Sequence, residues 1–578
     1  MPNEDGQIVV VYNGEIWNYK LLRDELERAG HAFRSSADTE VLVHGYEEWG
    51  DDVLAHVDGM FAFALWDANR ERLVLARDRM GKKPLYYSSS PAGLAFGSDA
   101  RSVHLVAGRT PELDSSRVAE FLFQRYVCSP NTLFAGVERL PPGHMLVYDR
   151  TRVEIRPYWS LPDSATDEPL DPARLRVLLR DAVERRLMGD VQVGMLLSGG
   201  VDSAAVLGLM CEAGYTSLPT FTIGFADKLY DERPGARLVA ERHRTDHHEL
   251  LVDAKDFVDA LPRLAWYRDE PMAEPTEAVL LLLAELAGRS VKVVLSGDGG
   301  DELFGGYPKY RAERVLGSGL VPSAALARAV QLMSKRPSHR GLLRAAESMR
   351  ISDEVTRWAS WFRSFGPAEL DALLAPGLRE AAAPERLTAP LRALLEPYAA
   401  VDRSRRQLIG DLLTYLPENM LVRSDKVLMA ASVEGRMPLL DLHVVEQVAQ
   451  APARDRTGLR TGKALLRAAI ADLVPQSTLR APKRGFPVPM GRFLLEDSRR
   501  VVERLLLADR TADRGLFAPD ALRALVLDAA PPATDLPLKL FTLASLELWC
   551  RANIDSTTEA PPGSFDELLD GEPALAVA

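Results

Sequence analysis

A short segment of this chain combines residue types that hold phosphate groups. Ser198–Ser203 reads Ser-Gly-Gly-Val-Asp-Ser and lies between an apolar run, Val191–Leu197, and a stretch typical of a helix. Glycines let the backbone approach a ligand without a Cβ in the way, and free N–H groups at a helix start attract anions. The segment also carries hydroxyl donors and a carboxylate suited to Mg²⁺; the residues concerned are Ser198, Gly199, Gly200, Asp202 and Ser203. We therefore expect a pyrophosphate cradle at the carboxyl end of a parallel strand.

Two common nucleotide-binding motifs are absent from this segment. It has neither the G-x-x-x-x-G-K-S/T pattern of P-loop proteins nor the G-x-G-x-x-G pattern of dinucleotide-binding folds. Taken alone, a Ser-Gly-Gly turn before a helix is also typical of an ordinary tight connection between a strand and a helix. The choice between these interpretations depends on a second motif.

A second glycine-rich loop follows another apolar run. Val293–Tyr307 reads VVLSGDGGDELFGGY and carries three acids, Asp298, Asp301 and Glu302. Acids this close repel one another and are usually tolerated where a cation or a positively charged substrate balances them. The alternative is a solvated acidic loop. Because loops at the strand ends of one parallel sheet open into one crevice, we expect one loop to hold phosphates and the other a metal ion and substrate.

The elements that must position these loops follow a different pattern from the start of the chain. Residues 1–160 are rich in short apolar runs bounded by turn residues. These runs predict strands at Ile8–Tyr12, Gly59–Asp67, Arg72–Asp78, Pro84–Ser90 and Gly143–Asp149. Asn13-Gly14 is a strong turn signal after the first strand. The spacing of Leu21, Leu22 and Leu26 predicts a helix over Tyr19–Gly30 that ends at the glycine.

The pattern changes after a segment rich in Pro, Asp and Ser, residues 161–175, which is typical of a linker. Apolar strands then alternate with helices, which predicts a parallel sheet; the strands are Val191–Leu197, Leu218–Phe225 and Val291–Gly297. From about Pro322 the chain is predicted to be mostly helical. We therefore expect a first domain over residues 1–160, a second over residues 176–554, and a disordered tail over residues 555–578.

Composition and charge narrow the classes of partner. The 578 residues carry 82 acidic and 70 basic side chains, a net charge of −12, which argues against nonspecific nucleic-acid binding and against an anionic membrane surface. A signal-peptide pattern is missing, and the longest apolar stretch, Ala278–Ala287, is too short to span a bilayer. Cys128 (in a predicted helical stretch), Cys211 and Cys550 have neither disulfide nor metal-ligand spacing and are expected to be buried. The sequence predicts a soluble, cytoplasmic protein.

The two loops together resemble a known family. Ser198–Ser203 is similar to the pyrophosphate loop of N-type ATP pyrophosphatases, and Ser296–Tyr307 narrows the resemblance to the glutamine-dependent asparagine synthetases. Three further segments resemble that family's C-terminal signatures: Ser424–Asp441, Gly462–Ile470 and Arg480–Met490. The resemblance implies an α/β protein. An Ntn-type αββα amidohydrolase domain would precede a doubly wound parallel-sheet ATP-pyrophosphatase domain (adenine nucleotide α-hydrolase-like), which ends in a helical part.

The resemblance implies a reaction and assigns residues to it. In this family ATP activates a substrate carboxylate as an acyl-adenylate, pyrophosphate leaves, and ammonia attacks the acyl carbon. Ser198–Ser203 would hold the pyrophosphate, Asp202 and Asp301 would bind Mg²⁺, and Lys463 would neutralise charge as the acyl centre becomes tetrahedral. The remaining residues would line the adenosine site (Leu196, Ile223, Ser296, Gly297) and the acyl and amine site (Asp298, Tyr307).

Residues 1–160 resemble the same family's glutamine amidohydrolase domain. The segments YNGEIWNY and SADTEVLVH contain the residues that in the family hold glutamine and complete its oxyanion site: Asn13, Gly14, Glu15 and Asp38. The family's domain begins at a nucleophilic cysteine whose own α-amino group acts as the base. In this sequence no cysteine precedes Cys128.

Two hypotheses follow from the missing cysteine. In the first, the true start lies upstream and this chain is an N-terminally truncated version of a glutamine-dependent enzyme; the retained residues Glu15 and Asp38 favour it. In the second, glutaminase activity is lost and the enzyme uses ammonia or an internal amine. As written, the chain is expected to use ammonia but not glutamine, and to expose a sheet edge near Val9–Val11.

The leading functional hypothesis is an ATP-dependent C–N ligase that makes asparagine from aspartate and forms AMP and pyrophosphate. Asp269–Val279 departs from the common family pattern, with Met272 where an aromatic residue is usual and Glu274 where Asp is usual. The acyl substrate therefore stays open. The alternatives are a secondary-metabolite amidotransferase or cyclase, similar to β-lactam synthetases or lasso-peptide cyclases, and a non-enzymatic homologue. The expected partners are small molecules (ATP, an acid, glutamine or ammonia), without nucleic acid or membrane, and the family is often homodimeric.

Overall fold

The computed structural model contains two α/β units. It describes residues 1–150, 152–164, 166, 168–189, 191–317, 327–328, 346–458, 462–483, 485, 488–528, 535–556 and 560–569. Within these ranges, no helix has both the length and the apolar composition that crossing a membrane requires.

The N-terminal unit is built on two antiparallel sheets. Its strands are β1 Ile8–Ile16, β2 Gly59–Asp67, β3 Arg72–Arg77, β4 Tyr86–Ser90, β5 Gly93–Gly97, β6 Glu138–Arg139, β7 His144–Tyr148 and β8 Val153–Pro157. The larger sheet has the order β1-β2-β3-β7-β8 and the smaller one β5-β4-β6. Buried residues of both sheets, including Ala64, Leu75 and Tyr87, form one apolar cluster between them.

Helices cover both outer faces of this sandwich. Leu22, Leu26 and Val41 pack with residues of β1 and β2 on the larger sheet, from helices Tyr19–Ala29 and Glu40–Trp49. Helices Ala100–Val106 and Val118–Gln124 lie on the side of the smaller sheet. The expected αββα layering is therefore present.

The first helix confirms one local prediction and corrects another. It ends where expected, because Gly30 adopts a left-handed conformation (φ 106°) that residues with a Cβ rarely take. The predicted apolar stripe is narrower than expected: Leu22 and Leu26 are buried, but Leu21 is 72% exposed. Leu21 lies one residue away from Leu22 along the helix, so it points about 100° away from the buried face.

Strand β1 continues through Asn13-Gly14, so the predicted turn there is wrong. The strand pairs with β2 over its whole length, from Ile8 opposite Asp67 to Ile16 opposite Gly59. Gly14 has φ 155°, and a Cβ at this position would collide with the carbonyl oxygen of Met60. The glycine permits a close approach between strands, a use that turn statistics do not reveal. In the described residues β1 is an edge strand, but the exposed edge expected near Val9–Val11 is partly covered. The Val10 N–H donates to the Met1 carbonyl oxygen at 2.9 Å and Val10 is 1% exposed, whereas Val11 is 65% exposed.

The second unit is built on a five-stranded parallel sheet. Its strands are β9 Val193–Leu196, β10 Pro219–Gly224, β11 Asp246–Leu251, β12 Val293–Leu295 and β13 Glu434–Arg436. In the order β11-β10-β9-β12-β13, successive strands are added on one side of β9 up to β11 and then on its other side as β12 and β13. This change of side between β9 and β12 confirms the doubly wound class. Strands β11 and β13 were not predicted from the sequence. Both are edge strands, and both are too polar or too short to give an apolar pattern.

Helices flank this sheet and form the C-terminal part. Those among the strands are Pro172–Arg186, Val201–Glu212, Arg233–His243, Ala254–Tyr267, Thr276–Gly288, Gly300–Phe304 and Pro308–Gly317. The later ones are Glu354–Ser360, Pro367–Leu373, Pro384–Leu395, Arg403–Leu413, Val422–Ala430, Leu442–Gln450, Ala453–Arg456, Ala464–Ala469, Gln476–Arg480, Met490–Arg492, Arg499–Leu506, Asp509–Asp513, Pro519–Arg523, Leu536–Asn553 and Phe565–Leu569.

Two of these helices lie in segments predicted to lack structure. Pro172–Arg186 begins inside the expected linker, because Asp171 caps its N-terminus and Pro172 suits a first helical turn. Phe565–Leu569 lies inside the expected disordered tail, where its Leu568 is buried against the protein. Residues 557–559 and 570–578 of that tail, and Pro322, lie outside the described residues.

Buried charges join the two units. Lys83 Nζ lies 2.8 Å from Asp425 Oδ1, and Arg139 Nη2 lies 2.5 Å from Glu270 Oε1. All four side chains are less than 10% exposed. Removing one partner of a buried pair leaves an uncompensated charge, so these contacts hold the units in one relative position.

Candidate active site

The two glycine-rich loops meet at the switch point of the parallel sheet. Ser198–Ser203 follows β9, Ser296–Asp301 follows β12, and these two strands are hydrogen-bonded neighbours. The loops touch: a Cβ added to Gly297 would lie 2.7 Å from both the Asp202 Cβ and the Ser203 backbone nitrogen. The two loops, which the sequence predicts to face one crevice, therefore lie together at the carboxyl ends of neighbouring strands.

Serine hydroxyl groups maintain the shape of the first loop. The Ser198 backbone N–H donates to Ser203 Oγ at 3.1 Å, and the Gly200 N–H donates to Ser198 Oγ at 3.2 Å. The two hydroxyl oxygens are 2.9 Å apart. Helix Val201–Glu212 starts directly after this turn, so its free N–H groups and Asp202, in its first turn, border the crevice.

Two lysines and two aspartates form a charged cluster beside the two loops, in which Lys463 is buried and Lys483 is partly exposed. Lys463 Nζ contacts Asp202 Oδ2 and lies 2.6 Å from Asp301 Oδ1. Lys483 Nζ contacts Asp301 Oδ2. Asp202 Oδ1 is buried and accepts no hydrogen bond from any described residue. Residues that are far apart in the chain thus bring balanced charge to both loops.

The pKa values of the cluster follow from burial and charge. Burial raises the pKa of the Asp202 carboxyl, and although Lys463 lowers it, the Asp301 charge raises it further. Burial also acts to raise the pKa of Asp301, but Lys463 and Lys483 outweigh it and hold that pKa below its usual value. Burial alone would lower the pKa of Lys483, but Asp301 and Asp202 raise it. The Asp301 carboxylate and the Lys483 ammonium therefore stay charged at neutral pH.

Lys463 is positioned by a tight backbone contact. It precedes helix Ala464–Ala469 with φ 59°, a left-handed conformation that costs energy for any residue with a Cβ. A Cβ on the preceding Gly462 would lie 3.1 Å from the carbonyl oxygens of Gly305 and Gly306. The Gly462-Lys463 turn therefore packs directly on the end of the acidic loop, and the lysine side chain is only 3% exposed.

The residues expected at the acyl and amine site point in two directions. Asp298 Oδ2 accepts hydrogen bonds from Ser296 Oγ at 3.1 Å and Ser424 Oγ at 2.7 Å, which turns it toward helix Val422–Ala430. Tyr307 donates to Glu302 Oε1 at 2.6 Å, and its ring centroid is 5.8 Å from Lys483 Nζ. Burial and the nearby Asp301 charge raise the pKa of Glu302 to about 7.

The residues expected around adenosine lie at the carboxyl ends of neighbouring strands. Leu196 ends β9, and Ile223 lies near the end of β10. Ser296 and Gly297 follow β12 directly, beside β9 in the sheet. The fold therefore brings these residues to the edge of the sheet where nucleotides bind in doubly wound proteins.

The residues expected to bind glutamine lie where the two units meet. Asp38 Oδ2 accepts hydrogen bonds from the Tyr12 hydroxyl at 2.8 Å and the Ile16 N–H at 2.9 Å. Asn13 Nδ2 donates to Ser98 Oγ at 3.4 Å. Glu15 Oε1 lies 3.2 Å from Arg436 in β13, and burial raises the pKa of Glu15 to about 7.

The cysteines are poor candidates for a nucleophile. Cys128 lies beyond the end of helix Val118–Gln124 rather than within a helix, because Arg125 ends that helix in a left-handed conformation. Burial and the Glu120 charge raise the pKa of Cys128 well above its usual value. Burial also raises the pKa of Cys211 to about 11 and that of Cys550 further. All three are free thiols, as their spacing predicted; Cys128 and Cys550 are buried as expected, but Cys211 is only partly buried.

Lys483 is a residue of the cluster that the sequence motifs did not single out. It lies in the signature segment Arg480–Met490 but carried no assigned role. The available signal was charge: three acids in one loop need more than one cation nearby. Local sequence gives no means of choosing which of the chain's basic residues supplies it.

The contact between the loops yields a first prediction, for Gly297→Ala. The new methyl group would overlap Asp202 and the Ser203 backbone. We therefore expect the free energy of unfolding to fall by about 1–3 kcal/mol and the ligase activity to fall with it. The matched control is Gly377→Ala, where an added Cβ meets no described atom within 4 Å. Thermal unfolding of both variants checks this. Equal stability of the two would show that the loops do not pack as described.

Comparisons with known proteins agree across both units. Residues 174–551 match the family model described as asparagine synthase, and residues 1–159 match that of a glutamine amidotransferase domain. A protein of Mycobacterium tuberculosis (strain H37Rv), provisionally named as a glutamine-hydrolysing asparagine synthetase, is 37% identical over 508 residues, which cover 85% of this chain and 76% of the relative. Glutamine-hydrolysing asparagine synthetase 1 of Bacillus subtilis is 29% identical over 562 residues, which cover 96% of this chain and 87% of the relative.

Proposed function

This chain belongs to the asparagine synthase family, and from that premise we propose that it is an ATP-dependent ligase that converts aspartate to asparagine. The nitrogen of the new amide comes from ammonia, which glutamine supplies in the complete reaction. The observation that carries this proposal is the contact between the two loops, with Lys463 joining Asp202 and Asp301 at the switch point. A phosphate-binding turn, a helix start and two fixed ammonium groups converge there.

The described residues suit the first half-reaction, in which an aspartate carboxylate oxygen attacks the α-phosphorus of ATP and pyrophosphate leaves. The start of helix Val201–Glu212 offers N–H groups to the phosphates. Lys483, the more exposed of the two lysines, offers positive charge to the phosphates and contacts Asp301 in their absence. A bound polyphosphate would compete with Asp301 for this ammonium group. In the second half-reaction ammonia attacks the acyl carbon and AMP leaves, while Lys463 stabilises the charge that develops.

The Asp202 and Asp301 carboxylates fit a magnesium site. Mg²⁺ prefers carboxylate and phosphate oxygens, and Asp202 Oδ1 is a buried carboxylate oxygen that accepts no hydrogen bond from the described residues. We propose that these two aspartates hold Mg²⁺ together with ATP. The ion would supply positive charge to the phosphate oxygens.

The glutamine-binding role of Asn13, Gly14, Glu15 and Asp38 is also a proposal. The ion pair between Glu15 and Arg436 supports it, because the backbone oxygen of Arg436 in turn accepts a hydrogen bond from the Ser296 N–H at 3.0 Å. A single residue, Arg436, therefore contacts both the proposed glutamine site and the proposed ATP site. Release of ammonia beside this interface would place it near the acyl-adenylate.

Other features of the complete enzyme follow from the family premise and are proposed on that ground. These are a domain division with residues 1–160 before a linker and residues 176–554 after it, a homodimer, and a cytoplasmic location. Small molecules are the proposed partners.

The test is exchange of labelled pyrophosphate into ATP with a panel of carboxylic acids, followed by product analysis with ammonium chloride. We expect exchange with aspartate and Mg²⁺, and formation of asparagine, AMP and pyrophosphate. Exchange only with an acid that carries its own reactive amine would favour the cyclase-type alternative. Absence of exchange with every acid would contradict a ligase function. Glutamate release from glutamine is measured separately, because it reports on the N-terminal unit alone.

A further inference from the structure

A second cluster of ligand-type side chains lies in the N-terminal unit, away from the parallel sheet. His31, His44 and Glu47 each place one ligand atom within 4.8 Å of the others'. His44 and Glu47 belong to helix Glu40–Trp49, and His31 follows the C-terminus of helix Tyr19–Ala29. We propose that these three side chains bind one divalent transition-metal ion of the Zn²⁺ class, independently of the amide-forming reaction.

The distances fit a single ion. Nδ1 of His44 lies 3.0 Å, and Nδ1 of His31 lies 3.6 Å, from the same Glu47 oxygen, Oε2. Ligands of tetrahedral Zn²⁺ at about 2.1 Å from the metal are about 3.4 Å apart. The two observed separations lie on either side of that value, and one ligand atom from each of the three side chains lies within 4.8 Å of the others.

The surroundings of the two imidazoles orient both Nδ1 atoms toward Glu47. Nε2 of His31 lies 3.3 Å from Glu48 Oε2, and Nε2 of His44 lies 3.5 Å from Glu40 Oε1. With Nδ1 of each ring bound to a metal, the ring proton would lie on Nε2, on the side of these carboxylates. Metal-binding histidines commonly show this arrangement, in which a carboxylate holds the ring nitrogen that does not bind the ion.

The supporting carboxylates are themselves held in place. Glu40 accepts hydrogen bonds from the backbone N–H groups of Arg34 and Ser35 at 2.7 and 2.8 Å. Asn3 Nδ2 donates to Glu47 Oε1 at 2.7 Å, which fixes the carboxylate and leaves Oε2 facing the histidines.

The alternative is a cluster of ion pairs, because carboxylates of Glu4, Glu40, Glu47 and Glu48 surround the two imidazoles. His44 is 2% exposed, and within the described part of the chain its Nε2 is a buried nitrogen without a hydrogen-bond partner. A metal ion at Nδ1 would make the His44 Nε2–H a stronger donor toward Glu40. Measured Zn²⁺ binding distinguishes the two interpretations.

Solvent reaches the cluster, and its donors select the class of ion. The side chains of His31 and Glu47 are 16% and 24% exposed, which leaves an entry path. Glu4 Oε2, 3.8 Å from His44 Nδ1, is near enough to act as a fourth ligand after a small movement; water is the alternative. Two imidazoles and a carboxylate suit Zn²⁺, Co²⁺ or Ni²⁺ better than Mg²⁺ or Ca²⁺.

The test uses the full chain without a histidine tag and ZnCl₂ alone, with affinity measured by calorimetry and by competition with a chromophoric chelator. We expect one strong site per chain. His31→Gln and Glu47→Gln should each weaken it at least about 100-fold, since even partners outside the first ligand shell contribute about 10–100-fold. Both positions are partly exposed, so the variants should fold, whereas the buried His44 is left intact.

The matched control is His56→Gln, an exposed histidine of the same unit that stacks on Trp49 with ring centroids 3.9 Å apart. This variant should keep the wild-type affinity. Zn²⁺ should raise the melting temperature of the wild type and of the control, but not of the two ligand variants. All four proteins should show equal ATP–pyrophosphate exchange. Affinity unchanged in His31→Gln and Glu47→Gln, or no strong site in the wild type, would overturn the proposal.

Discussion

Asp202→Ala and Asp301→Ala are each expected to reduce ATP–pyrophosphate exchange by at least about 100-fold. Each change removes a carboxylate of the proposed magnesium site, and loss of even a group that only supports a metal ligand costs about 10–100-fold. Asp301 has a further role, because it contacts both Lys463 and Lys483 and so positions both ammonium groups. Exchange rates measured across a range of Mg²⁺ concentrations check this. A lost ligand should raise the Mg²⁺ concentration needed for half-maximal exchange.

Controls separate this effect from general damage. Asp202→Asn and Asp301→Asn keep the shape of the side chains and remove only the charge, so they should lose exchange to a similar extent. Asp472→Ala removes an exposed acid that pairs with Arg176, which retains Glu212 as a second partner. It should exchange normally. Normal exchange in the alanine variants of Asp202 and Asp301 would overturn the assignment of the metal site.

Lys463→Ala is expected to lower kcat about 100- to 1,000-fold while the KM for ATP changes little. Removing one fixed group that stabilises transition-state charge in other enzymes has an effect of this size. An interaction made only in the transition state appears in kcat rather than in substrate binding. The backbone strain at φ 59° is the same for lysine and alanine, since both carry a Cβ. Steady-state kinetics with ammonium chloride as nitrogen donor measures both constants.

Three further variants sharpen the interpretation. Lys463→Arg keeps the positive charge and should retain more activity than Lys463→Ala, provided that both variants melt as one cooperative unit. Lys483→Ala should mainly raise the KM for ATP, because Lys483 is more exposed (27% against 3%) and contacts only Asp301 of the two aspartates. Lys255→Ala, at an exposed ion pair with Asp259, should change neither constant. A loss confined to the KM for ATP in Lys463→Ala would make that lysine a binding residue.

Local patterns in the sequence were sufficient for most of the elements that carry the site. Gly59–Asp67 was predicted with the bounds that β2 has, and the apolar runs before both loops proved to be β9 and β12. Such predictions succeed because periodicity and glycine placement act within a few residues. The family resemblance came from the same short segments, and residues 174–551 bear it out.

Tertiary contacts decided what those patterns left open. Only the fold brings Lys463 to Asp202, 261 residues earlier in the chain, and adds Lys483 to the same cluster. Only strand pairing shows that Gly14 permits a close approach to Met60 rather than a turn, and only the packing of two helices brings His31 beside His44. The physical reason is common to these cases. A local pattern limits backbone dihedral angles and the face that is buried, whereas the position of a charge relative to a distant partner is set by how whole elements pack, which no short segment encodes.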